Sequence, residues 1–176
     1  VLAARNPLLL FIDDDCLIED ENYLRRLTEA HQEEPERVAI GGPYRLPARS
    51  SFWDRAYHAN MEAWLEQQKF SRDESRALLG GNASYKARVF QSGHRFPPSI
   101  KYGGSETPLN HKLFEERGPH RFDPELSLTH RSRLSLPSLT RKAFLQGRGF
   151  ADQSKWMAEG FQDNREVRQP SWTIRL

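Results

Sequence analysis

Residues 8–24 read LLLFIDDDCLIEDENYL: five apolar residues run directly into Asp13, Asp14 and Asp15. An uninterrupted apolar run of this length reads as a strand covered on both faces. Three adjacent like charges at its end need an outside partner, because carboxylates rarely border a core unless paired or bound to a metal. In an extended segment Asp13 and Asp15 share one side while Asp14 faces the other. An Asp-x-Asp pair so arranged suits Mg²⁺ or Mn²⁺, hard cations that take carboxylate oxygens and bridge to substrate phosphates. The plainer alternative is a set of surface carboxylates that only caps the following helix.

Composition narrows the classes. The chain has 176 residues, enough for one domain with a core. Its 26 Lys and Arg against 24 Asp and Glu leave a net charge of +2, and no basic run marks a nucleic-acid binder. Aromatic residues make up 11%, which argues against disorder despite the modest hydrophobic fraction of 37%. The single cysteine, Cys16, excludes an internal disulfide framework and any multi-thiolate zinc site, and fits a reducing, cytoplasmic setting. No apolar run is long enough to span a bilayer. The opening VLAARNP has neither an initiator Met nor a secretory h-region, so the chain reads as part of something longer.

Further along, Asp20 is placed to cap a helix with Tyr23, Leu24, Leu27 and His31 on one stripe, ending near Pro35. A short strand at 37–40 is stopped by Gly41, Gly42 and Pro43. From Ser51 a second helix carries Trp53, Tyr57, Met61, Trp64 and Leu65 along one face, a stripe that reads as core. In LLGGNASYKARVF a short strand and glycine turn lead into a brief helix at 86–90. SETPLNHKLFEERG reads as a helix with Ser105 as N-cap, Glu106 in the first turn and Gly118 as its stop. A strand near 125–129 and a helix ending near Gly147 follow. The expected organisation is one α/β domain over residues 1–150 and a polar tail or extension over 151–176.

Two family resemblances compete for the aspartates. Residues 11–30 resemble the opening strand and helix of a phosphorylation receiver domain, with Asp54 roughly where its phosphoacceptor lies. That fold then needs later strands ending in a hydroxyl residue and a Lys, which are absent. FIDDDC, followed by LLGGNASYKARVF and YGGSETPLNHKL, resembles family 2 glycosyltransferases of the GT-A fold. LTHRSRLSLPSLTRKAFLQGRG is also similar to the stretch that follows that family's acidic pair, so the resemblance covers residues 8 to about 149. It implies the C-terminal part of a GT-A catalytic domain, a mixed sheet flanked by helices whose N-terminal strands lie upstream.

The resemblance also implies roles. Asp13 and Asp15 match the D-x-D acids, Asp15 nearer the metal and Asp13 nearer the ribose, with Asp14 at the variable position between them. Gly80, Gly81 and Asn82 match a segment close to the donor. Glu106 matches the general base of inverting members, although Ser105-Glu106 stands where Glu-Asp is usual. His130 matches a position near the metal, while Arg148, with Arg141 and Lys142, is placed for either diphosphate contact or a solvated helix face. The processive Q-x-x-R-W signature is absent, which implies transfer of single sugars. The implied reaction is metal-dependent inverting transfer, with Mg or Mn, from a nucleotide-diphospho-sugar to a glycan or lipid-linked acceptor. The implied setting is bacterial polysaccharide assembly at the inner membrane surface, and a non-catalytic GT-A-like module remains the alternative.

Overall fold

The computed structural model describes residues 4–100 and 103–158. In chain order these form β1 (Leu8–Ile12), β2 (Cys16–Leu17), α1 (Tyr23–Glu33), β3 (Ala39–Gly41), β4 (Tyr44–Arg45) and α2 (Phe52–Gln68). Then come β5 (Glu74–Ser75), β6 (Asn82–Lys86), α3 (Ala87–Gln91), α4 (Glu106–Arg117), β7 (His120–Phe122), β8 (Leu128–His130) and α5 (Leu136–Ala158). The larger sheet has the order β1-β6-β3-β7-β5 and the smaller one β2-β8-β4. Both are mixed: β1 lies antiparallel to β6, β3 parallel to β7, and β4 parallel to β8. The pairs β1/β2, β3/β4 and β7/β8 each pass from the larger sheet to the smaller, so their bends gather where the sheets meet.

The apolar run at β1 is a strand with both faces covered, as read from sequence. Leu9 and Phe11 pack toward the cluster of Leu78, Tyr85, Phe90, Leu109 and Leu113, whereas Leu10 packs toward Tyr23, Leu27, Ile40 and Leu126. Ala39 and Ile40 divide between the same two clusters, which is the period-two alternation of a central strand.

Several local expectations change. Asp20 does not cap α1; its Oδ1 accepts the Asn22 N–H at 2.9 Å and shapes the preceding turn. Leu24 is off the buried stripe and exposed. The strand near the paired glycines follows them, because residues 82–86 pair with both β1 and β3. α5 runs through Gly147 and across position 150 to Ala158, helped by packing against α2 and α4; residues 159–176 of the expected tail lie outside the described residues. Ser51 caps α2 in a reciprocal box with Asp54. Asp54 also accepts the Leu134 N–H at 2.8 Å. Burial alone raises its pKa, but the N–H groups of Leu134 and Ser51 and the Ser51 hydroxyl outweigh that and hold it below the usual carboxylate value. A carboxylate so occupied is no phosphoacceptor, and the antiparallel β1–β6 pairing is foreign to a receiver's parallel sheet. Among the described residues no helix is long and apolar enough to cross a membrane.

Two core histidines make stability depend on pH. His31 Nε2 meets Ser84 Oγ at 2.8 Å, and His120 Nε2 donates to the Asn110 carbonyl at 2.9 Å. Burial, foremost, pushes both down from 6.5 to about 4. A base whose folded pKa is depressed contributes stability above its unfolded pKa and loses it as pH falls through the window down to the folded value. The unfolding free energy of the chain, measured by urea titration, should therefore drop between pH 6.5 and about 4, by on the order of 2–3 kcal/mol for each buried ring. His31→Gln and His120→Gln should each flatten part of that slope; a slope unchanged in both variants refutes the assignment.

Candidate active site

The three aspartates do not continue the strand. The Cys16 N–H donates to the Asp13 carbonyl at 3.0 Å, closing a tight turn between β1 and β2. The turn, not strand alternation, sends the carboxylates in three directions. Asp13 accepts the Tyr44 hydroxyl at 3.2 Å and borders a cleft of about 980 Å³. Asp14 faces solvent and does not line the cleft. Asp15 Oδ2 lies 3.2 Å from His130 Nε2 across the β2–β8 pairing, in which Cys16 sits opposite His130.

His130 is buried and stacks on Tyr44, with ring centroids 4.9 Å apart and planes 13° from parallel. Its Nδ1 is buried and has no hydrogen-bond partner. Burial, with the Lys142 cation adding to it, keeps the imidazole neutral more readily than usual despite the pull of Asp15. Oxygen, sulfur and nitrogen donors of Asp15, Cys16 and His130 all lie within 4.8 Å of one another. Burial, then Asp13 and Asp15, pushes the Cys16 thiol up to about 12, so it stays protonated and donates poorly. The Asp15 carboxylate and the one unprotonated ring nitrogen of a neutral His130 fit a divalent cation of the Mg or Mn type, the carboxylate suiting either ion and the imidazole favouring Mn²⁺.

The glycines join the aspartates to Glu106 by close approach. A Cβ on Gly81 would strike the Asp13 carboxyl and the Tyr44 hydroxyl, and one on Gly80 would come within 2.7 Å of Glu106 Cδ. Any side chain at either position would therefore push apart the groups facing the cleft. Glu106 opens α4, where the helix N-terminus favours a negative charge. Shielding from solvent still raises its pKa, with the Asp13 charge adding to it, while its own N–H and that of Gly80 hold it back. Asp13, Gly80, Gly81, Glu106 and His130 all line the one cleft.

Besides Asp14, two expected residues lie elsewhere. Asn82 is completely buried; its Nδ2 donates to the carbonyls of Pro43 and Leu126, and its Oδ1 accepts the Tyr23 hydroxyl at 2.5 Å. It fastens the bends between the two sheets and holds the site indirectly. Arg148 is on the exposed side of α5 and does not line the cleft; Lys142 does. The Lys142 ammonium sits 4.3 Å from the centre of the Tyr57 ring, whose hydroxyl accepts Gln146 Nε2 at 2.7 Å. Tyr57, Met61 and Trp64, expected as core, form a wall of the cleft, although Tyr57 is also well buried.

Sequence reasoning missed Tyr44 and Gln153. Tyr44 carries no motif of its own, and its position follows only from the β3–β4 bend. Gln153 is buried against Gly104, which has φ +75° and no room for a Cβ beside the Gln153 amide. The contact pins the loop before Glu106 to α5.

No curated protein matches the chain. Among solved structures, glucosyl-3-phosphoglycerate synthase from Mycobacterium tuberculosis, in complex with phosphoglyceric acid, superposes with a TM-score of 0.57 at 16% identity, over 87% of this chain and 50% of that one. The same enzyme in complex with Mn²⁺, UDP-glucose and phosphoglyceric acid gives 0.56 at 16% identity, over 87% and 51%. Mannosyl-3-phosphoglycerate synthase from Rubrobacter xylanophilus gives 0.53 at 17% identity, over 96% and 52%. The chain thus spans about half the length of the structures it matches, and the likeness is one of fold. Residues 1–95, which include the aspartate turn and both glycines, match the family profile described as Glycosyl transferase family 2. With more than half its length matched, and with the partial GT-A fold expected of such a domain, the chain belongs to glycosyl transferase family 2.

Proposed function

We propose that the chain carries the metal and acceptor side of a metal-dependent glycosyltransferase, which moves one sugar from a nucleotide-diphospho-sugar to an acceptor hydroxyl with inversion. The observation that carries this reading is the convergence of Asp13, His130 and Glu106 on one cleft, with Asp15 held against His130. The M. tuberculosis neighbour, in complex with Mn²⁺ and UDP-glucose, supports the same donor class here. Asp15 and His130 would hold a divalent Mg or Mn ion, with Asp13 beside them toward the nucleotide. Such an ion neutralises charge on a departing nucleoside diphosphate.

The chain's own groups do the rest. Glu106, whose proton affinity is raised, takes the proton from the acceptor hydroxyl as that oxygen bonds to the sugar C1 and the C1–diphosphate bond breaks. Gly80 and Gly81 let the Glu106 and Asp13 carboxylates pack directly against the backbone at the cleft wall. Lys142, the basic side chain at the cleft wall, adds positive charge toward the leaving group in place of Arg148. The acceptor is a glycan or a lipid-linked saccharide, and the setting is bacterial surface-polysaccharide assembly in the cytoplasm or at its membrane face.

The test is turnover of UDP- and GDP-sugars by the full-length protein, with the product's anomeric configuration read by NMR. Release of nucleoside diphosphate only with Mn²⁺ or Mg²⁺, and a product of inverted configuration, are expected. Metal-independent turnover would contradict the metal site, and retained configuration would contradict the base role of Glu106.

A further inference from the structure

Helix α5 has two working faces, and only one of them belongs to the cleft. Lys142, Gln146 and Gln153 turn inward. On the outside, Leu136 and Phe144 are 54% and 67% exposed, while Phe150, 60% exposed, stands at the rim of the cleft itself. Phe52 joins them, because the Ser51 hydroxyl bonds the Leu134 carbonyl and brings the start of α2 against the start of α5. Four of the eight large apolar side chains exposed among the described residues thus surround one helix.

Charge is sorted the same way. Residues 131–158 carry six Lys and Arg against Asp152 alone, although the whole chain has 26 against 24, so the remainder is net acidic. Arg141, Arg148 and Lys155 recur every seven residues and are all exposed, forming one stripe along the helix. Phe144 and Ala151, at the same spacing, form a second stripe beside it. A basic stripe flanking exposed aromatics is the pattern of a helix lying in a lipid interface, with rings inserted and long cationic side chains reaching the headgroups.

We propose that the outer face of α5 docks on an anionic lipid surface. The docking stands independently of the sugar-transfer reading; its corollary, a lipid-linked acceptor presented from that surface, rests on that reading.

The experiment is sedimentation of the full chain with phosphatidylcholine vesicles and with vesicles containing about a third phosphatidylglycerol. The chain should pellet with the anionic vesicles only and release in roughly 0.5 M salt. Arg141→Glu should weaken binding about tenfold or more, and Phe144→Ser about fivefold. Both positions are exposed, so the melting temperature should not change. Equal pelleting with both vesicle types, no pelleting, or variants that bind like the parent would overturn the proposal. So would a concentration-dependent dimer that Phe144→Ser dissolves without any vesicle binding. A protein that docks but transfers no sugar refutes the transferase reading alone; one that transfers sugar but ignores vesicles refutes the docking alone.

Discussion

In the full-length protein, Asp15→Ala should abolish metal-dependent sugar transfer, lowering kcat/KM on the order of 10³-fold or more. The Asp15 side chain is 41% exposed and belongs to no core cluster, so its loss should leave the fold intact. What it removes is the carboxylate facing His130. Without it, the buried imidazole has no carboxylate beside it to share a cation. Direct titration with Mn²⁺, followed by electron paramagnetic resonance, should show affinity falling with activity. Asp15→Asn keeps the shape but not the charge and should fail almost as badly. An Asp15→Ala enzyme with the parent's metal response and rate would show that the ion sits elsewhere.

Glu106→Gln should lower kcat by about 10²–10⁴-fold while leaving donor KM within a few-fold. The amide keeps the volume packed against Gly80 and can still stand at the start of α4, but it cannot accept a proton. The pH profile separates this role from a structural one. A base acts only when deprotonated, and the Glu106 pKa is raised by its shielded position and by the nearby Asp13. The acid limb of kcat/KM should therefore lie above the ordinary glutamate range in the parent and disappear in the Gln variant. A Gln variant with unchanged rate, or with the same acid limb, would remove Glu106 from the base role.

Much of this was legible from local pattern. The apolar run of β1 called for two packed layers, and Leu9 and Phe11 meet the layer of Phe90 while Leu10 meets that of Leu27. The helix from Ser51 was readable because Trp53, Tyr57, Met61, Trp64 and Leu65 recur at helical spacing; its Ser51–Asp54 capping box emerged only in the structure. The aspartates, the glycine pair and Glu106 were readable as candidates because crowded carboxylates and paired glycines are costly without a ligand or a close approach to justify them.

Long-range pairing was not legible. The strand at 82–86 gains its hydrogen bonds from β1 and β3, each about 40 residues or more away, so nothing in its own residues distinguished it from the stretch before the glycines. Asn82 looked like a ligand for the donor because its triplet fits that role; its amide is instead consumed by Pro43, Leu126 and Tyr23. Arg148 and Lys142 differ only in helix phase, and that phase is set by α5 docking through Gln153 and Gly149.

The sequence by itself determined that this chain has a doubly covered strand ending in carboxylates, a glycine pair downstream, and an acid at a helix start. Those follow from burial, charge and backbone sterics, which act over a few residues. Only the tertiary structure decided that Asp15 meets His130, that Asp13 and Glu106 flank the two glycines, and that Asp14, Asn82 and Arg148 stay out of the cleft. Those depend on how two sheets bend into each other, and the bends are fixed by contacts between residues far apart in the chain.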